Sequence, residues 1–306
     1  MGTPDFAVSC LERLVEKSKN VVGVVTQEDK PKGRGKKILY TPVKEYALSK
    51  GIPVFQPNTL KDNSFENELK ELNPDIIIVV AYGKILPKYI LDYPKFGCVN
   101  IHASLLPKYR GAGPIQWCLI NGEKKTGITA MYMNEGLDTG DMLLKKETEI
   151  GEYENCEELF LRLAILGADV LIETIDLISK GELKPEKQDD NEATYAPMVS
   201  KETGRIDWNK PGDEIINLIR GTYVWPVAHT LYNGEILKIF SAVKGKEHSL
   251  MVPGSICSAG KGGLEVMCGD GKTIIIKEAQ FFNSKKMSIE SYLNGHTIDC
   301  STMLGI

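Results

Sequence analysis

Five consecutive β-branched residues at 76–80 (IIIVV) constrain the fold of this chain more than any other feature of its sequence. A strand made of such residues has apolar side chains on both faces, so its sheet must be covered on both sides. Over the first 150 residues, short apolar runs alternate with helical patterns, which is typical of β-α units around a parallel sheet. The sequence therefore predicts an α/β fold with an N-terminal Rossmann-like parallel sheet.

The hydrophobic periodicity also predicts the individual elements of this domain. Helices are predicted at 6–17, 42–50, 65–72, 113–120 and 156–179, and strands at 21–25, 76–80, 97–103, 127–133 and 142–150. The opening GTPDF (2–6) has the form of a turn that follows a first strand, yet no strand precedes it. We therefore expect the first domain to be one strand short.

The character of the chain changes in its last third. Residues 183–200 are polar, charged and rich in helix breakers, which predicts a linker. Beyond it, short β-rich runs are separated by turn sequences such as Asn233-Gly234 and Asp270-Gly271, at the even spacing of a small antiparallel barrel or sandwich. The predicted organisation is a Rossmann-like domain at 1–182, a linker at 183–200 and a C-terminal, OB-like β-barrel domain at 201–306.

Charge and cysteine usage exclude several classes of protein. With 37 basic and 41 acidic residues, the chain is not coated in basic charge for indiscriminate nucleic-acid binding. Residues 145–192 alone hold 6 basic and 14 acidic residues, so the remainder is mildly basic and leaves room for a selective contact. Seven scattered cysteines without a CxxC pair disfavour a disulfide scaffold and a zinc site, and no apolar run is long enough to span a membrane. We expect a cytoplasmic protein with reduced thiols and no membrane contact.

Two polar residues share one face of the predicted strand at 97–103. Asn100 and His102 are two positions apart, and His102 lies at the carboxyl end, where open α/β sheets bind ligands. The amide can donate a hydrogen bond to a carbonyl oxygen, and the imidazole can move a proton near neutral pH. Asp138, in the loop GLDTGD (136–141), could bring a carboxylate into the same pocket. The residues alone equally allow a satisfied histidine at a strand end and an Asx-type hairpin turn.

A basic segment, KPKGRGKK (30–37), places five cations in eight residues. Its two glycines and one proline predict a mobile loop. The loop is either an ordinary solvated surface or a finger whose cations contact phosphates. A second loop, PKYRGAGP (107–114), lacks the third glycine of a dinucleotide-binding loop, because Gln116 stands in that place. A nicotinamide site is therefore disfavoured. A P-loop nucleotide site is also disfavoured, because no GxxxxGK(S/T) motif appears.

Seven segments together resemble the methionyl-tRNA formyltransferases, a branch of the 10-formyltetrahydrofolate-dependent formyltransferase family. They are GTPDFAV (2–8), TQEDKPKGRGKK (26–37), PVFQP (53–57), VVAYGKILP (79–87), GCVNIHASLLPKYRGAGPIQ (97–116), TGITAMYMNEGLDTGDML (126–143) and RIDW (205–208). NIHASLLP and GLDTGD are specific to enzymes that move a formyl group from 10-formyltetrahydrofolate. The GRGKK loop and RIDW narrow the resemblance to the transfer-RNA branch.

The resemblance implies an enzyme that transfers the formyl group of 10-formyltetrahydrofolate, its co-substrate, to the α-amino group of initiator methionyl-tRNA. Asn100, His102 and Asp138 are then the catalytic residues. Asn100 and His102 would stabilise the oxyanion that forms at the formyl carbon, and Asp138 would hold His102 and take the proton of the amine. No step demands a metal ion, and we expect a monomer.

The resemblance also implies residues for binding. The folate would contact Ser104, Leu105, Leu106 and Pro107, largely through backbone and apolar surface. The acceptor arm of the tRNA would be contacted by the basic loop, with Arg34 foremost, through the cations Lys30, Lys32, Arg34, Lys36 and Lys37. The C-terminal barrel would bind the body of the tRNA.

Two other functions stay open at this point. An enzyme that formylates an amino-sugar nucleotide or glycinamide ribonucleotide would share the Asn, His and Asp set, but would not need the basic loop or a separate barrel. A tRNA-binding protein that has lost catalysis is disfavoured by the intact Asn, His and Asp set, whereas the expected lack of a first strand favours it.

Overall fold

The computed structural model of this chain describes residues 1–32, 37–247 and 251–305. The chain divides into two compact units. The first comprises residues 1–111, 125–148 and 160–196, and the second comprises 112–124, 149–159 and 197–306. Each unit thus draws on separate stretches of the chain, and the domain boundaries at 182 and 200 stay a prediction.

The first unit is built on parallel strand pairs. Its strands are β1 (Val24–Val25), β2 (Lys30–Lys32), β3 (Lys37–Leu39), β4 (Val54–Phe55), β5 (Ile77–Val79), β6 (Cys98–His102), β7 (Lys125–Tyr132) and β8 (Met142–Glu149). β1 pairs with β4 and β5 with β6 in parallel, and β7 joins β6 antiparallel in the order β5-β6-β7-β8. Gly2 lies between the two parallel pairs, since its N–H donates to Val25 O at 3.0 Å and it forms a parallel bridge with Val80. The predicted fold class is confirmed.

The helices follow the predicted apolar periodicity. They are α1 (Asp5–Glu16), α2 (Pro42–Ser49), α3 (Glu66–Leu72), α4 (Lys88–Leu91), α5 (Pro114–Ile120), α6 (Cys156–Lys180), α7 (Gly212–Gly221) and α8 (Ile289–Leu293). The five predicted helices are present with small shifts at their ends. The start of α6 is fixed by a capping box, in which Asn155 Oδ1 accepts from Glu158 N at 3.1 Å and Glu158 Oε2 accepts from Asn155 N at 3.0 Å.

Helix α6 packs against one face of β6, and helix α1 packs against α6. The rings of Phe6 and Phe160 meet edge to face with centroids 5.4 Å apart. Gly167 of α6 lies so close to the sheet that a Cβ there would be 3.2 Å from Cγ2 of Ile101. Because side chains alternate along a strand, this packing turns Asn100 and His102 to the opposite face of β6.

The basic segment is only partly the loop that its composition predicts. β2 and β3 pair antiparallel, with Lys30 opposite Leu39 and Lys32 opposite Lys37. The prediction of a mobile loop over 30–37 is therefore wrong at both ends. Cross-strand pairing satisfies the backbone there, and propensity rules based on Gly, Pro and Lys do not include that gain.

The second unit is an antiparallel sheet with three helices. Its strands are β9 (Ala228–Tyr232), β10 (Glu235–Glu247), β11 (Ile256–Gly260), β12 (Gly263–Met267), β13 (Lys272–Gln280) and β14 (Met287–Ser288), in the order β11-β12-β13-β10-β9 with β14 on β13. The chain end bridges the outer strands, because Leu304 N donates to Gly254 O at 2.8 Å and Gly305 N to Leu231 O at 2.9 Å. The second unit is thus mostly antiparallel sheet, whereas its closure into a barrel stays a prediction.

Two expectations from composition concern the state of the cysteines and the absence of a membrane-spanning segment. All seven cysteines are thiols outside any disulfide, and five are buried, whereas Cys257 is half-buried and Cys300 is exposed. Among the described helices, none combines the length and the apolar character that crossing a membrane requires.

Candidate active site

β6 places Asn100 and His102 beside the carboxylate of Asp138. Asn100 Nδ2 lies 3.4 Å from Asp138 Oδ1, and His102 Nδ1 lies 3.7 Å from Asp138 Oδ2. The shared partner puts both side chains on one face of the strand, as their spacing predicts. The structure thus brings the three residues together, while their catalytic role stays a prediction.

The second ring nitrogen of His102 contacts the backbone. His102 is 6% exposed, and its Nε2 lies 2.9 Å from the carbonyl oxygen of Tyr109. A carbonyl oxygen only accepts, so Nε2 carries a proton and donates it. A further proton that arrives at the ring therefore binds Nδ1, on the side of Asp138.

Asp138 occupies a sharply turned loop between β7 and β8. Its φ of 53° lies in the left-handed region, which Asp tolerates better than most residues. The far side of the loop is held by Asn134 Oδ1, which accepts from Gly136 N and from Thr139 Oγ1, each at 2.9 Å. Gly140 must be glycine, because a Cβ there would lie 1.8 Å from the carbonyl oxygen of Tyr132. The loop is therefore closely fitted to the end of β7.

The backbone after β6 holds the Asp138 carboxylate from another direction. Gly111 N donates to Asp138 Oδ2 at 2.8 Å. Gly111 has a φ of 119°, and a Cβ there would lie 2.7 Å from the carbonyl oxygen of Ala196. Only glycine fits this close approach, so the GAG sequence within PKYRGAGP serves the carboxylate rather than a dinucleotide phosphate.

Residues 186–196, which we call the strap, lie along the site. Glu186 N donates to Met142 O at 2.8 Å, and Glu186 O accepts from Met142 N at 2.8 Å. At the other end, Arg110 N donates to Thr194 O at 2.9 Å and Ala196 N donates to Arg110 O at 2.7 Å. The strap therefore pairs with β8 on one side and with the loop after β6 on the other.

One side chain of the strap reaches the Asp138 loop. Gln188 Nε2 donates to the carbonyl oxygens of Asp138 and Gly140, each at 2.8 Å. Gln188 Oε1 accepts from Arg110 Nε at 3.0 Å, and a terminal nitrogen of Arg110 reaches Asp190 Oδ1 at 2.8 Å. Arg110 is only 2% exposed. These contacts form a continuous path from a buried guanidinium to the backbone of the Asp138 loop.

The four predicted folate contacts form a tight turn directly after β6. Ser104, Leu106 and Pro107 are buried and Leu105 is half-buried. Thr129 Oγ1 donates to Ser104 O at 2.7 Å and accepts from Leu106 N at 3.1 Å, and Ser104 Oγ donates to Lys108 O at 2.7 Å. The hydroxyl of Ser104 is thus engaged within the turn, and no part of the described geometry tests the folate contacts.

The predicted tRNA contacts fall at the edge of the described chain. Arg34 and Lys36 lie outside the described residues. For Lys30, Lys32 and Lys37 the structure describes the backbone of β2 and β3. Their role in binding tRNA therefore stays a prediction.

The cysteine of β6 and the potential metal ligands of the chain also bear on the chemistry of the site. Burial raises the pKa of the Cys98 thiol to about 12, so this cysteine of β6 carries almost no thiolate at neutral pH. Within the part of the chain that the structure describes, no group of three or more His, Cys, Asp or Glu side chains could hold a metal ion.

Sequence reasoning missed Gln188, Arg110 and the N–H of Gly111. Gln188 lies in the segment predicted as a linker, and its partner Asp138 is 50 residues away. Arg110 lies in the loop PKYRGAGP, which was compared with dinucleotide-binding loops because of its glycines. A buried arginine needs hydrogen-bond acceptors, but the sequence does not show that Arg110 is buried. In the sequence, Arg110 is marked by its position directly before GAG. That position alone does not predict which groups the guanidinium contacts.

Known proteins resemble this chain along most of its length. The model of the formyl transferase family matches residues 1–175, and the model of the formyl transferase C-terminal domain matches 198–297. The methionyl-tRNA formyltransferase of Alkaliphilus oremlandii is 53% identical over 305 residues, covering 100% of this chain and 98% of its own. The corresponding protein of Caldanaerobacter subterraneus subsp. tengcongensis is also 53% identical, covering 99% and 98%.

A solved structure has the same fold. A sugar 3N-formyl transferase, crystallised with dTDP and 5-N-formyl-THF, superposes with a TM-score of 0.67 at 21% identity, covering 93% of this chain and 97% of its own. At that identity the likeness concerns the fold. With family models over both parts of the sequence and relatives at 53% identity along its length, this chain belongs to the formyl transferase family.

Proposed function

We propose that this enzyme transfers the formyl group of 10-formyltetrahydrofolate to the α-amino group of initiator methionyl-tRNA, in the cytoplasm. The observation that carries the proposal is the meeting of Asn100, His102 and Asp138 at the carboxyl end of β6, in a chain whose full-length relatives at 53% identity are methionyl-tRNA formyltransferases. The product is the formylated initiator tRNA used to begin translation.

The nucleophile needs little help. A free α-amino group has a pKa of about 8, and esterification of the neighbouring carboxylate lowers it, so much of the amine is neutral near pH 7. The difficult moment comes when the amine adds to the formyl carbon and the formyl oxygen becomes negative. The protein must then supply hydrogen-bond donors to that oxygen and an acceptor for the proton of the amine. When the intermediate collapses, the bond between the formyl carbon and N10 of the folate breaks, and N10 takes up a proton as tetrahydrofolate leaves.

The three residues are suited to these tasks. Asn100 donates to the oxyanion through Nδ2. The imidazole of His102, on the same face of β6, also stabilises the oxyanion. Asp138, held by the N–H of Gly111 at 2.8 Å, keeps a carboxylate oxygen near Nδ1 of His102 and accepts the proton that the amine releases. The folate lies against the turn of Ser104, Leu105, Leu106 and Pro107, where backbone groups and apolar side chains meet it.

Formylation of charged tRNA by the purified protein tests this proposal. We expect formylmethionyl-tRNA to form from methionyl-tRNA and 10-formyltetrahydrofolate, and His102→Ala and Asp138→Asn to abolish its formation. Asn is chosen because it tolerates the left-handed backbone at position 138 while it removes the carboxylate. The product is measured as acid-precipitable label from a radioactive formyl donor.

Two controls make the test specific. Asp92→Ala removes an exposed carboxylate on the surface of the same unit, paired only with Lys88 one turn earlier, and should leave the rate unchanged. An amino-sugar nucleotide and glycinamide ribonucleotide are offered as alternative acceptors. Formylation of either, with charged tRNA left untouched by folded protein, would refute the tRNA assignment.

A further inference from the structure

The strap holds the Asp138 loop through a single amide, at the point where the loop is most strained. Asp138 has a φ of 53°, a conformation that costs a non-glycine residue free energy. Its carbonyl oxygen and that of Gly140 both accept from Nε2 of Gln188 at 2.8 Å. The two N–H groups of one amide thus hold the backbone on both sides of Thr139.

The orientation of this amide is fixed by its surroundings. The nitrogen faces two carbonyl oxygens, which only accept, and the oxygen faces Arg110 Nε, which only donates. Rotating the amide by half a turn would replace all three hydrogen bonds with repulsive contacts. Gln188 is therefore uniquely suited among the natural side chains, because Glu lacks the donors and Asn is one methylene shorter.

The buried guanidinium of Arg110 fixes Gln188 in turn. Arg110 is 2% exposed, and its backbone pairs with Thr194 and Ala196 of the strap on both sides of its own Cα. Its neighbour Gly111 supplies the N–H that binds Asp138 Oδ2 at 2.8 Å. The carboxylate and the backbone of Asp138 are consequently positioned by the same rigid assembly of Arg110, Gly111 and the strap.

We propose that Gln188 is a positioning residue for the formyl transfer, which sets the geometry of Asp138 against His102 and Asn100 through the backbone of residues 138–140. Gln188 contacts neither substrate and acts through the loop alone. The kinetic test of this inference rests on the proposed function. The statement that Gln188 holds the backbone of the Asp138 loop does not, and it can be tested separately. Loss of the amide leaves the fold intact and allows the Asp138 carboxylate to leave its working position.

The experiment compares Gln188→Glu with Asn191→Asp. Both changes convert an amide into a carboxylate within the strap, but Asn191 Nδ2 donates to Asp189 Oδ1 of the strap itself, at 3.0 Å, and not to the Asp138 loop. Glu at 188 keeps an acceptor for Arg110 and removes both donors to the loop. Because misplacement of a catalytic group by about 1 Å can cost on the order of a hundredfold in rate, we expect kcat to fall about ten- to a hundredfold. KM for either substrate should stay within about twofold, since uniform binding is untouched.

A second readout does not depend on the substrate. Amide hydrogen exchange of residues 134–141, followed by mass spectrometry, should speed up in Gln188→Glu and stay at the wild-type rate in Asn191→Asp. Should Gln188→Glu fail to fold, Gln188→Met fills a similar volume without donors and carries the same comparison.

Each outcome has a defined meaning. An unchanged kcat and unchanged loop exchange in folded Gln188→Glu, an equal loss in Asn191→Asp, or a rise in KM at constant kcat would overturn the positioning role. Failure of wild-type protein to formylate methionyl-tRNA would refute the proposed function instead. The exchange comparison would then still decide whether Gln188 holds the loop.

Discussion

At the scale of single residues, the contacts of Asn100 and His102 differ in a way that matters for catalysis. His102 makes a short contact of 2.9 Å with Tyr109 O, whereas the amide of Asn100 lies 3.4 Å from Asp138 Oδ1. A hydrogen bond at that length is weak and is readily exchanged for a better acceptor. Asn100 is thus the side chain of the site that can turn to a developing oxyanion with the smallest loss.

Removal of this donor should slow the chemical step. For Asn100→Ala we expect kcat to fall about a hundredfold, equivalent to about 3 kcal/mol, because one oxyanion donor is lost. KM for 10-formyltetrahydrofolate should change little, since the hydrogen bond forms mainly in the transition state. Steady-state kinetics measure both, with Asn20→Ala, at an exposed position, as the control. A loss seen in KM alone would instead make Asn100 a ground-state binding residue.

The sequence alone predicts that Asn100 and His102 lie together, by a rule that needs no tertiary information. Side chains two apart on a strand share a face, and that rule alone placed both of them together. Asp138 required the resemblance, because a loop 36 residues beyond His102 can be brought to many places. Gln188 could not be found at all, since its role depends on two carbonyl groups and a guanidinium from distant parts of the chain.

At the scale of elements, the turn between β7 and β8 depends on one close backbone approach. A Cβ at Gly140 would lie 1.8 Å from Tyr132 O, a distance that no side-chain adjustment can relieve because the obstacle is backbone. The end of β7 and the Asp138 loop must separate to admit it. Stability and site geometry are therefore coupled at this glycine.

A single methyl group should expose this coupling. We expect Gly140→Ala to lower the free energy of unfolding by about 1–3 kcal/mol or more, as overpacking does, and to lower activity as well. Gly295→Ala, where a Cβ meets nothing within 4 Å, is the matched control and should behave as wild type. Urea denaturation gives the stability of both variants. A Gly140→Ala protein with wild-type stability and activity would mean that the turn can widen freely.

Elements with a strong apolar pattern were predictable from the sequence, whereas three short strands of the first unit were not. Helices α1 and α6 bury a continuous apolar face, so their sequence identifies them without the rest of the fold. The strand predicted at 21–25 contains β1, but β4 is two residues long and β2 and β3 come from a cation-rich segment, so local sequence carries little information about these three. Their existence depends on hydrogen bonds to a partner strand.

At the scale of the whole molecule, the enzyme must bind two substrates of very different size, a small folate and a large polyanion. The proposed catalytic residues lie on β6 and in the loop between β7 and β8, and the charge distribution of the sequence separates a basic segment at 30–37 from an acidic stretch at 145–192. β2 and β3 flank residues 33–36 as paired strands. Binding of tRNA and binding of folate should therefore respond to different substitutions.

Arg34→Ala should separate the two substrates. We expect KM for methionyl-tRNA to rise severalfold, and the salt dependence of log(kcat/KM) to become shallower by about 1 unit, because one phosphate contact is lost. KM for 10-formyltetrahydrofolate should stay constant. Lys17→Ala removes an exposed cation at the end of α1 and serves as the control. Equal changes for both substrates would assign Arg34 a structural role.

The strap has a practical consequence for recombining this enzyme with its relatives. A join at residue 182 looks natural from composition, yet it would give residues 183–196 to the incoming parent and so exchange Gln188 and Thr194 against a foreign loop. A join after Ala196, where the first compact unit ends, transfers the strap together with the loop that it holds. Chimaeras cut at the second position should inherit the turnover of their N-terminal parent, and those cut at the first should tolerate only parents that share the Arg110–Gln188 contact.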